Sequence, residues 1–194
     1  MVAAIVIDHL LESVQSSLHG VAYVYCNYKA REDVSGMLAA ILKQLVQARP
    51  SLGGPIEQLH KQHASRGTRP SPDEVFSALR DVLAYYSAVY IVVDALDECQ
   101  DSDGTRRQFL AKLHDLQARQ DVRLMATSRF IPDIIDWFNG ALELEVQANK
   151  EDIKRFVAGQ IYRLPRCIQR DLALQEIVQE KIVEAVNGMY ALPS

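Results

Sequence analysis

An α/β fold is predicted, a parallel sheet with helices on both faces, and three observations predict it. Short β-branched and aromatic runs alternate with stretches whose apolar residues recur every three or four positions. The run Tyr90–Leu96 (YIVVDAL) is apolar without interruption until its acid, the pattern of a strand covered on both sides. Strands separated by helices require right-handed crossovers, and those pair strands in parallel.

The elements follow in order. Ala3, Ile7, Leu10, Val14 and Leu18 make residues 2–18 an amphipathic helix, with no element expected before it. Val21–Tyr28 (VAYVYCNY) is β-branched and aromatic, as a buried strand should be. Val34, Met37, Leu38, Ile41, Leu42 and Leu45 mark one face of a second helix, broken at Pro50 and Gly53-Gly54-Pro55. Residues 56–72 are polar and irregular, with room for a short helix. Ser71, Pro72 and Glu74 form a capping-box start to a helix that turns Val75, Phe76, Leu79, Val82 and Leu83 inward.

After Tyr90–Leu96, a helix with Phe109, Leu110, Leu113 and Leu116 inward leads to the strand Val122–Ser128. Ile134, Trp137 and Phe138 lie in a short amphipathic segment that should dock on the core, and Ala141–Val146 (ALELEV) alternates like an edge strand. A helical extension follows, with Ile153, Phe156, Val157 and Ile161 on one helix. Leu174, Ile177, Val178 and Val186 lie on another that should stop at Asn187-Gly188. The expected organisation is an α/β core over residues 1–148 and a helical extension over 149–194.

The 194 residues are 48% hydrophobic and 24% charged, with a net charge of −4. Lys and Arg are scattered among acids, which argues against direct binding of nucleic acid. Three cysteines at wide spacing fit neither a disulfide framework nor a zinc motif, so a reducing, cytoplasmic setting is expected. The apolar start is interrupted by Asp8 and His9 and has neither the flanks of a leader nor membrane-spanning length. No membrane association is expected.

Ligands on parallel sheets bind beyond the carboxyl ends of the strands, so the residues past Tyr28, Val93 and Ala126 are the ones to interrogate. There the sequence holds Asp94-Ala95-Leu96-Asp97-Glu98 and Thr127-Ser128-Arg129. A carboxylate at a strand tip can hold magnesium through a water, and an acid three or four residues later can orient the water that attacks a phosphate. Hydroxyls and a guanidinium on the next strand end can sense that phosphate. The bland reading of Asp97 and Glu98 is a solvated acidic turn, since the run continues with Asp101 and Asp103. The strand context favours chemistry.

Elsewhere the bland readings win. His60 and His63 lie one turn apart without a third ligand, Cys99 beside acids is a packing residue, and the tyrosines near the strands pack rather than stack bases.

The motif DALDEC at Asp94–Cys99, with TSRF at Thr127–Phe130, VYCNY and the closing NGMYAL, resembles the NACHT-type STAND NTPases, in particular their nephrocystin-like versions. Such proteins are similar to NOD-like receptors, nucleotide-dependent switches with a variable effector and C-terminal repeats. The resemblance implies magnesium with ATP or GTP as cofactor. It makes Asp94 the Walker B magnesium carboxylate, Asp97 and Glu98 the acidic pair that activates water, and Arg129 the sensor-type arginine. Thr127 and Ser128 would stand beside that arginine at the phosphate.

Members of that family open with a strand and G-x-x-x-x-G-K-[ST], and this sequence contains neither. Gly53-Gly54 and Gly67 lack the Lys-Ser or Lys-Thr that a phosphate cradle needs. The expectation is a truncated core, silent in hydrolysis on its own. The contrasting expectation is a non-enzymatic interaction module, docking to another copy or to full-length relatives through an exposed sheet edge. A magnesium-dependent phosphohydrolase built on Asp94 and Asp97 is weaker, for lack of an Asp-x-Asp strand-end pattern.

Overall fold

The computed structural model describes residues 2–14, 18–29, 33–101, 103–146 and 150–189, with side chains of the last helix up to residue 185. Two compact units divide the chain, Met1–Gly140 and Ala141–Ser194. The expected boundary at 148/149 lies outside the described residues.

The first unit runs α1 (Val2–Ser13), β1 (His19–Tyr25), α2 (Val34–Ala48), α3 (Gly54–Ala64), α4 (Pro72–Leu83), β2 (Ala88–Asp94), α5 (Thr105–Arg119), β3 (Val122–Ala126) and α6 (Pro132–Trp137). Its sheet has the order β1-β2-β3 with both pairs parallel, and the register sets Tyr25 beside Asp94 and Val93 beside Ala126. All three strands therefore deliver their carboxyl ends to one side of the unit.

The central strand explains why the sheet is covered twice. Ile91 and Val93 join the larger cluster with Leu38, Ile41, Leu79, Phe109 and Leu113 of α2, α4 and α5, whereas Val92 packs on the other face against Ala3 and Ile7 of α1. Each fully buried side chain of this size contributes about 1.5–3 kcal/mol. An unbroken apolar run satisfies both faces at once. The helix starts were legible in the caps: Asp33 accepts from the Gly36 N–H at 2.7 Å, and Ser71 with Glu74 closes the capping box. Gly20 is required by close approach, because a Cβ there would fall 2.6 Å from Leu45 Cδ2.

Several expectations are corrected. The first helix ends at Ser13 rather than residue 18, with residues 15–17 outside the described set. The ladders end at Tyr25, Asp94 and Ala126, two or three residues before the expected strand ends, because the chain beyond turns to build the strand tips. Ala141–Val146 is not a strand: Leu142, Leu144 and Val146 are 105%, 82% and 60% exposed. Alternation makes a strand only where a neighbour offers a ladder, and among the described residues none does.

The second unit contains α7 (Lys150–Gln160), α8 (Arg166–Gln169) and α9 (Leu172–Met189), around a small cluster of Ile153, Val157 and Val183. Phe156, Leu174 and Ile177, expected inward, are exposed, since so few helices bury only a narrow stripe of each. The last helix runs through the expected stop at Asn187-Gly188 to Met189, and the end of the closing NGMYAL motif lies outside the described residues. No helix among the described residues is long and apolar enough to cross a membrane.

Candidate functional site

β2 ends on Asp94, half-buried, and the next residue changes the direction of the chain. Ala95 has φ 54° and ψ 49°, the one described non-glycine residue in the left-handed region. That conformation costs an L-residue roughly 1–2 kcal/mol, and it persists only where the surroundings enforce it. Here the tip of β3 enforces it: the Ala95 N–H donates to Thr127 Oγ1 at 2.9 Å and the Leu96 N–H to the Thr127 carbonyl at 2.8 Å. The bend drives Leu96 fully into the core and puts Asp97 and Glu98 on the 3-10 turn Leu96–Glu98.

Two side-chain links then tie the acids to β3. The Thr127 hydroxyl donates to Asp94 Oδ1 at 2.6 Å, so one oxygen of that carboxylate is committed. Asp97 accepts twice from one residue, from the Arg129 backbone N–H on Oδ1 at 3.2 Å and from Arg129 Nε on Oδ2 at 2.6 Å. The Asp97 side chain is 6% exposed and that of Arg129 81%. This hydrogen bond, then the Asp97 charge, and to a lesser degree the Glu98 charge, hold the guanidinium above the ordinary arginine range.

The remaining candidates diverge. Glu98 faces the cleft, its carboxylate without a hydrogen bond among the described residues. Ser128 Oγ donates to the adjacent Arg129 carbonyl at 2.7 Å. Tyr28, Asp97, Glu98, Thr127, Ser128 and Arg129 line an open cleft of about 820 Å³. Asp94 is not among its lining residues and is linked to it through Thr127, which is.

With this geometry in hand, comparison with protein families gives a match to the N-terminal region of nephrocystin 3 over residues 1–129. The chain belongs to the nephrocystin 3 N-terminal family. The family match covers α1 to Arg129, and with them all three strands and every candidate residue. The chain finds no match among curated proteins, nor among solved structures.

For this family member the sequence reading passed over three contributors. Ala95 gave no signal, because an alanine does not announce a positive φ. Gln100 donates to the Tyr28 carbonyl at 3.3 Å and ties the turn to the end of β1. Arg106, paired with Asp101 at 3.2 Å, also lines the cleft, and the five-residue spacing across a glycine turn was its faint signal. Of the side chains set aside, His63 engages Thr68 through Nδ1 and Glu74 through Nε2, and Cys99 is buried in the core cluster. Ile134 is buried and Trp137 and Phe138 pack partly buried against that core, as expected of a docking segment.

Proposed function

We propose that the tips of β2 and β3 form the magnesium-and-water half of a nucleotide site, of the kind a NACHT-type signalling switch uses. The observation that carries the reading is the convergence of two adjacent parallel strand ends. The acid at the tip of β2 is bonded by the hydroxyl at the tip of β3, beside an open cleft that an arginine and a further acid share.

The residues fit magnesium better than a fully protein-caged ion. No cluster of three or more His, Cys, Asp or Glu able to hold a metal occurs among the described residues. Magnesium keeps several waters and takes one or two carboxylates plus phosphate oxygens, which one oriented carboxylate with one uncommitted oxygen can serve. Asp94 would hold the ion and Thr127 would fix the carboxylate. When bound, the ion would neutralise charge on the terminal phosphates of ATP or GTP. Glu98 is the acid open to orient a water, and Arg129 offers a cation to phosphate. The sequence contains no G-x-x-x-x-G-K-[ST], so most of the phosphate grip is missing from these residues and unaided turnover is not expected. Three widely spaced cysteines, at positions 26, 99 and 167, suit a cytoplasmic setting.

Titrating magnesium-ATP and magnesium-GTP into the purified chain should give a dissociation constant on the order of a millimolar, about −4 kcal/mol. Asp94→Ala or chelation of the magnesium should abolish it. Absent binding, or binding indifferent to Asp94→Ala, sinks the assignment.

A second reading is favoured by the outer edge of β3. In a parallel ladder alternate residues point outward, and those of Leu124 and Ala126 have no main-chain partner among the described residues. Such an edge is a template for strand addition by a second copy or a full-length relative. Sedimentation velocity over a concentration series would show nucleotide-independent association under this reading and a monomer throughout if it is wrong.

A further inference from the structure

We infer that Asp97 is the positioning residue of Arg129, holding its guanidinium for a terminal phosphate, and is not the acid that activates water. This rests on the nucleotide reading above.

Water activation needs a carboxylate oxygen facing the cleft. Asp97 borders the cleft, but both its oxygens already accept from Arg129 and the side chain is 6% exposed. Glu98, one residue on, faces the cleft and suits that task. Asp97 suits another. By gripping both the main-chain N–H and Nε of the same residue, it fixes where Arg129 leaves the backbone and which edge of its guanidinium is used. The Nε edge is spent on Asp97. The remaining edge, with the two terminal nitrogens, has no partner among the described residues, on a side chain 81% exposed at the cleft wall. A guanidinium so held is a planar fork that matches two oxygens of one phosphate.

The grip is anchored from behind. Leu96, directly before Asp97, is fully buried, and Ala95 is tied to Thr127. The turn therefore cannot slide relative to the tip of β3 without losing those bonds. A side chain held in its binding geometry before the ligand arrives loses less freedom on binding. A terminal phosphate is the ligand class, because the free edge offers donors only and stands in the wall of the same cleft that Glu98 faces.

The test has a ligand-free arm and a nucleotide arm. In the full chain, the Nε–H cross-peak of Arg129 should be resolved and slow to exchange in the wild type. It should collapse to the free-arginine position in Asp97→Asn, with the remaining spectrum unchanged. The preference for magnesium-ATP over magnesium-ADP should fall about tenfold, the loss of one charge-assisted contact, in Asp97→Asn and in Arg129→Lys. The double variant should lose no more. An unmoved arginine cross-peak, or additive losses, overturns the assignment of Asp97. Should Asp97→Asn not fold, Arg129→Lys decides, since it changes an exposed side chain and keeps its charge: an unaltered ATP preference refutes the fork. If the wild type binds no magnesium-ATP, the nucleotide reading falls by itself and the cross-peak still decides whether Asp97 holds Arg129.

Discussion

At β1 the sheet ends on a side-chain amide, and at β3 it ends, among the described residues, on backbone with no such partner. Gln44 of α2 lies along β1 and replaces a neighbouring strand: its Oε1 accepts from the Tyr23 N–H at 3.0 Å and its Nε2 donates to the Tyr23 carbonyl at 2.8 Å. Opposite, Gln117 reaches the Val122 carbonyl at 3.3 Å, and among the described residues the outward groups of Leu124 and Ala126 have no such cover. Edges are liabilities that folds manage, and the contrast teaches that one edge is capped by a helix side chain while the other, among the described residues, is not. The candidate site is tied to both edge strands. The turn after β2 is bound to β3 by Thr127 and Arg129, and to the end of β1 by the Cys26 N–H to Asp94 carbonyl bond and by Gln100.

Removing the cover should hurt most. Gln44→Leu would leave the half-buried N–H and C=O of Tyr23 unpaired, at about 2–3 kcal/mol, and expose β1 as a second edge. Urea unfolding should register the loss and light scattering a new tendency to associate. An unchanged midpoint would show that water does the amide's work and that the two edges are alike.

Thr127→Val sharpens the comparison from the other side. It deletes the bond to Asp94 and strands the Ala95 N–H, and the strained turn loses what holds it, at about 2 kcal/mol in urea unfolding. Little or no loss would mean that the β3 tip does not organise the turn.

The smallest effect on stability is expected from Ala126→Pro. Its N–H points outward, so a proline there breaks no ladder bond and should change stability by less than about 1 kcal/mol. It should nevertheless prevent any association through β3. Sedimentation of this variant unchanged from an associating wild type would place the interface elsewhere.

Much of the first unit was legible because its signals are local. The apolar faces of α2, α4 and α5 read from sequence are buried, and the capping box at Ser71–Glu74 is formed. Ala141–Val146 misled because alternation describes a side-chain pattern and carries no information about whether a partner strand exists. Phe156, Leu174 and Ile177 misled for a related reason: a periodic stripe says which face is apolar but not how much of it a small unit can cover. Asp94, Asp97, Thr127 and Arg129 were each found by type and position, yet nothing in their spacing distinguished Asp97 from Glu98.

The sequence by itself determined the parallel α/β class, the two-faced burial of β2 and the gathering of acids, hydroxyls and an arginine at the strand ends, since periodicity and apolar runs dictate what must be buried. Tertiary structure decided the partners. Only when β2 and β3 lie side by side does Thr127 meet Asp94 and Arg129 close on Asp97, more than thirty residues away in the chain. Only then is Ala95 forced into a left-handed turn, because such contacts depend on register and distance rather than on any local preference.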